Sequence, residues 1–363
     1  MLTKNQKMTP TFDKIHFKFK LNSNYYGTEE LKEVAYSLVK EGESYEKAMG
    51  DFLMDWLDSK EYINVRTSGS TGKPKIMKVS KQAMVNSAIA TGNYFKMKPG
   101  QTALLCLPTH YIAGKMMLVR AMILGLELDF VEPSTRPVFD DDKSYDFCAM
   151  IPVQLQKTVS AISNIKTLII GGAAISKPLE HAIQGLKTKI YATYGMTETV
   201  SHIAVKRING KQKSEYFKVF PKVNISQDDR GCLVIEAPKV APGKLVTNDV
   251  VKLHSNTEFE LIGRIDNVIN SGGVKLFPEQ IEAKLADKIK ERFFISSEPD
   301  PSLGEKLILI LEAESNTLDS SVFSDLDKLE IPKTIYHIKK FKETATGKIQ
   351  RNETLKALAK QNQ

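Results

Sequence analysis

Cysteine is scarce in this chain, three in 363 residues. Cys106, Cys148 and Cys232 lie far apart without metal-ligand spacing, and an odd number excludes a complete disulfide framework. A reducing cytoplasm is the expected compartment. No apolar run approaches the roughly 18 residues that a membrane span requires, since the longest candidate, 118–128, carries charges inside it. Residues 1–22 are polar and lack the apolar core of a signal peptide. No stripe of lysine and arginine interleaved with aromatics is present, so no nucleic-acid partner is expected. Internal repeats and low-complexity tracts are also missing.

The chain does have enough apolar material for a sizeable core, with 42% hydrophobic residues. Its net charge of +8 arises from 51 basic and 43 acidic residues spread along the sequence, a balance suited to anionic small molecules. The length allows two domains. Alternating apolar residues at 15, 17, 19 and 21 predict an early strand, and two helices follow over 28–40 and 45–57. A strand is expected over 62–66. Compact apolar strands at 102–107, 147–151 and 167–170 alternate with helical stretches at 81–94, 114–124 and 153–162, which argues for a layered α/β core. The last hundred or so residues read as a small α+β unit, with a helix opening at Pro278 and a strand over 307–312.

The strongest local signal is Thr67-Ser68-Gly69-Ser70-Thr71-Gly72-Lys73-Pro74-Lys75. Its glycines let backbone approach an anion closely, successive N–H groups can face phosphate oxygens, and the hydroxyls with Lys73 and Lys75 add donors and charge. The spacing is not that of a Walker loop, and Pro74 disfavours helical geometry at Lys73, so the loop need not lead straight into a helix.

This string resembles the signature loop of the adenylate-forming enzymes, which include acyl-CoA synthetases. Further strings agree in the same order: Gly171-Gly172-Ala173-Ala174, Tyr194-Gly195-Met196-Thr197-Glu198-Thr199, Gly263-Arg264-Ile265-Asp266 and Thr346-Gly347-Lys348. The resemblance implies a large layered α/β domain, residues 1–263, and a small mobile α+β lid domain, residues 264–363. It implies that residues 67–73 and Lys75 cradle the ATP phosphates. Gly172, Ala173 and Ala174 would line one face of the adenine and Tyr194 the other, with Gly195 and Met196 beside them. Thr197 would reach the α-phosphate and Glu198 would hold Mg²⁺. Asp249 and Arg264 would meet the ribose, Asp266 would be the hinge and Lys348 the catalytic cation. Gly272, Gly273 and Lys275 would line the CoA passage; on residue type alone the glycines are equally a tight hairpin turn. The family commonly has glycine where Asn248 stands, and asparagine tolerates left-handed backbone.

The implied chemistry is ATP-dependent ligation of a carboxylic acid to CoA. Arg120 lies in an otherwise apolar helix, where a bare charge is unfavourable. Either it pairs with a second carboxylate of the substrate, or it reaches solvent or pairs with Glu127 or Asp129. With His110 and Ser201, Arg120 is the expected acid-binding set. The stretch around Arg120 and Val200-Ser201-His202 resembles the o-succinylbenzoate–CoA ligases of menaquinone biosynthesis. Alternatives are a CoA ligase for another aryl or acyl acid, or an adenylating enzyme serving a carrier protein. The expected cofactor is Mg²⁺, with ATP and CoA as co-substrates, in a monomer or homodimer.

Overall fold

The computed structural model describes residues 9–66, 75–140, 142–315, 318–344 and 349–361. Among them, a 13-stranded sheet forms the first layer system and a 5-stranded sheet the second. Strands Thr102–Leu105, Glu127–Phe130, Tyr145–Met150, Ile165–Ile170 and Lys189–Gly195 are mutually parallel and bury side chains on both faces. Such strands read as continuous apolar runs because helices cover each side. Helices Lys81–Phe95 and Ile112–Leu124, with Thr28–Glu41 and Ser44–Leu57, pack on one face around Phe52, Trp56 and Met116; Pro152–Thr158 and Lys177–Ala182 cover the other.

Beyond Gly195 the sheet turns antiparallel through His202–Arg207, Phe217–Val219, Glu258–Arg264, Lys244–Leu253, Cys232–Glu236 and Asn224–Gln227. The reason is local. Only residues 196–201 separate Gly195 from His202, too few for the crossover a parallel partner requires.

Strands Tyr62–Arg66 and Ile76–Ser80 form a separate antiparallel pair, and Arg66 lies opposite Ile76. The loop at 67–74 is therefore closed at its base by a hairpin rather than leading into a helix; the loop itself lies outside the described residues. Helix Lys81–Phe95 then starts at an N-cap where the Ser80 hydroxyl accepts from the Ala83 amide. The early strand is much shorter than the alternation at 15–21 predicts. Only Lys20–Leu21 pairs, while Phe17 is 80% exposed and its ring stacks on His16. Alternation specifies a strand only where a neighbour's edge is within reach, and here it comes into reach only at Glu127–Leu128.

The second sheet begins at Ile269–Ser271, a few residues after the first one ends at Arg264. Its strand Gly304–Glu312 is buried on both faces: Leu307, Leu309 and Leu311 meet helix Pro278–Leu285, and Ile308 and Ile310 meet helix Arg351–Gln361. Among the described residues no helix is long and apolar enough to cross a membrane.

Lys81 is fully buried at the start of its helix and donates to the Asp58 carboxylate at 2.8 Å and the Asp58 carbonyl at 3.0 Å. Burial pushes the Asp58 carboxyl up, but bonds from Lys81 and Lys60 outweigh it and hold the group at about 2 against an ordinary 3.8. A depressed carboxyl stabilises the fold above its unfolded value, so this contribution is complete above about pH 4 and is lost as pH falls toward 2. Asp58→Asn should lower stability at pH 7 by about 2 kcal/mol, because it leaves the Lys81 cation buried with a weaker partner. Urea unfolding at pH 7 and pH 3 should show the difference narrowing in acid.

Candidate active site

The carboxyl ends of parallel strands are where ligands bind in α/β sheets, and the expected residues 110, 172–174 and 194–198 lie at or just beyond them. Gly172, Ala173 and Ala174 follow strand Ile165–Ile170 and are exposed. A side chain on Gly171 would come within 2.7 Å of the Thr193 hydroxyl. His110 stands exposed beyond strand Thr102–Leu105, just before helix Ile112–Leu124.

Tyr194 is next to last in strand Lys189–Gly195, with Phe217 and Phe259 against its ring; the Phe259 ring lies edge-on at 5.1 Å. Its hydroxyl donates to Asp249 Oδ2 at 2.6 Å, while Arg264 Nη1 donates to Asp249 Oδ1 at 3.0 Å. Burial, then the Asp249 charge, raises the Tyr194 phenol above its ordinary value, so it stays a donor. Asp249 and Arg264 face each other in the antiparallel ladder. Arg264 also donates to Asp266 Oδ2 at 2.9 Å, which joins the expected ribose residues to the expected hinge. Only 8% of Tyr194 is exposed, so the ring does not present the open face expected for stacking on an adenine.

Asn248 corrects one expectation. It lies within the extended strand Lys244–Leu253 and is not among the left-handed residues. Its side chain supplies the reason for an amide at this place. Nδ2 donates to both Asp266 oxygens, at 3.1 and 3.2 Å, and Oδ1 accepts from Arg230 at 3.2 Å.

After Tyr194 the chain passes Gly195 and Met196 into a short 3-10 turn, Thr197–Thr199. Buried Thr199 fixes this turn: its hydroxyl accepts from the Met196 amide and lies within hydrogen-bond distance of the Met196 and Ser201 carbonyls. Glu198 points outward and is exposed. Val200 then adopts φ 66° and ψ −55°, and the Ser201 amide bonds the Thr199 carbonyl at 2.7 Å. That is a strained three-residue turn, unfavourable for a β-branched residue and typical of functional positions. It places Glu198 and Ser201 on either side of one tight bend.

Arg120 is 2% exposed within helix Ile112–Leu124. Glu127 bonds Lys20 and Asp129 bonds Lys143 and Tyr145, so neither carboxylate pairs with it. Among the described residues no acidic side chain does. Its donors reach the Met117 sulfur at 3.7 Å and the Ser201 hydroxyl at 3.3 Å, and Nε has no partner. Burial alone lowers its pKa to about 9, which still leaves the guanidinium charged at neutral pH. Beside it, Ser87 Oγ lies 2.7 Å from Ser201 Oγ, and Thr91 Oγ1 lies 3.3 Å from His202 Nε2. Ser87 and Thr91 were missed in the sequence, and His202 entered it only as part of the Val200-Ser201-His202 string. Only the i, i+4 spacing of Ser87 and Thr91 on an apolar helix signals them.

Lys75 is exposed ahead of strand Ile76–Ser80. Residues 67–73 and Lys348 lie outside the described residues. The chain on either side of Lys348 is anchored: Glu343 bridges Ile349, and Arg351 donates to Glu282 at 2.8 Å and to the Ile295 carbonyl at 3.1 Å. Gly272 (φ 58°) and Gly273 (φ 81°) form the turn of the hairpin between Ile269–Ser271 and Val274–Leu276, and Lys275 is exposed on it. Both φ values are left-handed, which explains two glycines in a two-residue turn.

Among the described residues no group of three or more His, Cys, Asp and Glu could hold a metal. Glu198 is an exposed carboxylate, the ligand expected for an Mg²⁺ ion that arrives on phosphate oxygens and keeps several waters.

Gly195 pairs with His202 at a closer approach than any other side chain would allow. A Cβ there would come within 2.4 Å of the Ser201 carbonyl and the His202 Cα, both backbone. Gly195→Ala should destabilise the fold by about 2 kcal/mol through forced strand separation, measured by urea unfolding.

Comparison with known proteins bears on the family and the fold. Residues 62–246 match the family model of the AMP-binding enzymes. A 2-succinylbenzoate–CoA ligase of Listeria monocytogenes is 25% identical over 341 residues, covering 84% of this chain and 71% of that protein. One from Lactococcus lactis is 24% identical, covering 82% and 72%. A solved structure of an acyl-CoA synthetase (AMP-forming)/AMP-acid ligase II-like protein from Dyadobacter fermentans is 38% identical, covers 90% of this chain and 98% of its own, and superposes with a TM-score of 0.60. The o-succinylbenzoate–CoA synthetase of Bacillus subtilis, solved with ATP and magnesium ion, shares the fold at a TM-score of 0.67 and 18% identity, covering 91% of this chain and 82% of its own. This chain belongs to the AMP-binding enzyme family.

Proposed function

We propose that this chain is an ATP-dependent 2-succinylbenzoate–CoA ligase of menaquinone biosynthesis. The observation that carries the substrate is Arg120. A buried cation without an acidic partner is strongly disfavoured unless something supplies the opposite charge. An acid with two carboxylates does so: one group is received by Arg120 and Ser201, and the other is left for reaction. The shared name of the curated relatives supports the same substrate.

The reaction has two halves. A carboxylate oxygen of the acid attacks the α-phosphorus of ATP, a P–O bond forms, and the bond to pyrophosphate breaks. The sulfur of CoA, its proton lost, then attacks the acyl carbon and AMP departs. Glu198 would hold Mg²⁺, which neutralises charge on the phosphate oxygens when bound. Thr197 would donate to the α-phosphate, and the loop at 67–73 with Lys75 would cradle the rest of the triphosphate. Asp249 offers its carboxylate to the ribose hydroxyls, held in place by Tyr194 and Arg264. Gly172, Ala173, Ala174, Gly195 and Met196 would border the adenine.

Lys348 would stabilise the charge that builds on the transferring phosphoryl group and on pyrophosphate. The unit beyond the Asp266 hinge would carry Lys348 in for the first half and turn the Gly272-Gly273-Lys275 hairpin to CoA for the second. The large unit would be residues 1–263 and the lid residues 264–363. His110 would guard the acid entrance.

Incubation with ATP, Mg²⁺, CoA and 2-succinylbenzoate should yield the acyl-CoA and AMP by mass spectrometry. Failure to form it while another acid is ligated would overturn the substrate assignment, and acylation of a carrier protein instead of free CoA would overturn the acceptor. Arg120→Ala should lower kcat/KM for 2-succinylbenzoate by about 100-fold, because it removes a charge-assisted pairing. Lys348→Ala should slow pyrophosphate release by about 100-fold or more, yet leave conversion of pre-formed acyl-adenylate to acyl-CoA nearly unchanged.

A further inference from the structure

Ser87 and Thr91 belong to helix Lys81–Phe95, and the Ser201 hydroxyl lies within hydrogen-bond distance of both Ser87 and Arg120. Proton counting fixes how they bond. A hydroxyl has one hydrogen. Thr91 donates its hydrogen to the Ser87 carbonyl at 3.0 Å, so toward His202 Nε2 it can only accept. The ring nitrogen is therefore the donor, and Nε2 carries a hydrogen. Burial and then the Arg120 charge push the His202 pKa well down, which favours the neutral Nε2–H tautomer. His202 also packs edge-on against Phe220 at 5.2 Å. Together these contacts hold the backbone that bears Ser201.

Ser201 Oγ accepts from Arg120, which has no lone pair to offer in return. One hydrogen lies between Ser201 and Ser87. Ser87 is 3% exposed and its carbonyl is occupied by Thr91, whereas Ser201 is half-exposed. If Ser87 donates, Ser201 accepts twice and its own O–H is left to point outward. If Ser201 donates inward, it presents a lone pair to any incoming carboxylate, and the two repel. We propose that Ser87 is a positioning residue for the acid: it donates into Ser201, turning that hydroxyl outward so that it and Arg120 together receive the substrate's second carboxylate. This rests on the reading of the chain as a ligase of a dicarboxylic acid.

The role predicts an effect on acid binding, transmitted through Ser201. Ser87→Ala should raise KM for 2-succinylbenzoate about tenfold, the loss of roughly one charge-assisted hydrogen bond. kcat and KM for ATP should change by less than about twofold. Ser87→Cys keeps the volume with only a weak donor and should show most of the same rise, which separates the hydrogen bond from a cavity; it also serves if alanine impairs folding. In a Ser201→Ala background, Ser87→Ala should add little. An unchanged KM in both Ser87 variants, or an undiminished further loss in the Ser201→Ala background, overturns the proposal while the ligase reading stands. Failure of the unsubstituted chain to form 2-succinylbenzoyl-CoA overturns both.

Discussion

Strand Lys189–Gly195 is bonded to a parallel neighbour on one side and to an antiparallel neighbour on the other, and the site grows from that change of direction. The parallel side brings the ends of several strands to one edge of the sheet. The antiparallel side returns at once through a strained bend at Val200, because Gly195 admits the returning backbone so closely. Thr197 and Glu198, proposed to face phosphate, and Ser201, proposed to face the acid, are thereby held within a single short connection that ends at buried His202. Any shift of this strand moves both halves of the chemistry together.

The same edge contains two opposite electrostatic arrangements. Around Asp249 every charge has a partner: Tyr194 and Arg264 bond the carboxylate, Arg264 and Asn248 bond Asp266, and Arg230 reaches back to Asn248. Such a network keeps its geometry without a ligand, which suits a ribose that offers only neutral hydroxyls. Around Arg120 the charge is left over, with sulfur and hydroxyl as its polar partners among the described residues. Desolvation makes that arrangement unfavourable without an anion, which is the ground for the proposed acid-binding role.

The Asp249 network also extends to the junction of the two sheets. Arg264 is the last residue of the large sheet and bonds Asp266 in the connecting 3-10 turn; Asn267 in turn bonds Glu279 of the first helix beyond it at 2.5 Å. The expected ribose residues thus bond the connecting turn at Asp266, and the next residue, Asn267, bonds the helix beyond it.

Much of this was legible from local pattern. Compact apolar runs gave three of the five parallel strands to within a few residues, missing Glu127–Phe130 and Lys189–Gly195, and the helices expected from Lys81 and Pro278 start there. Motif strings placed Gly172, Tyr194, Glu198, Asp249 and Arg264 among the candidates, because backbone approach and phosphate or ribose contact restrict residue type at fixed positions. Alternation at 15–21 overstated a strand, since pairing depends on a neighbour that local sequence cannot supply. Asn248 was read as a backbone device and proved to be a side-chain one. Whether Arg120 was paired with Glu127 or Asp129 was likewise open until tertiary packing gave those carboxylates to Lys20, Lys143 and Tyr145. The sequence by itself determined which chemical groups were available and in what order. Only the tertiary structure decided which of them share hydrogens and charge, because Ser87 and Ser201, 114 positions apart, meet through packing and not through any local periodicity.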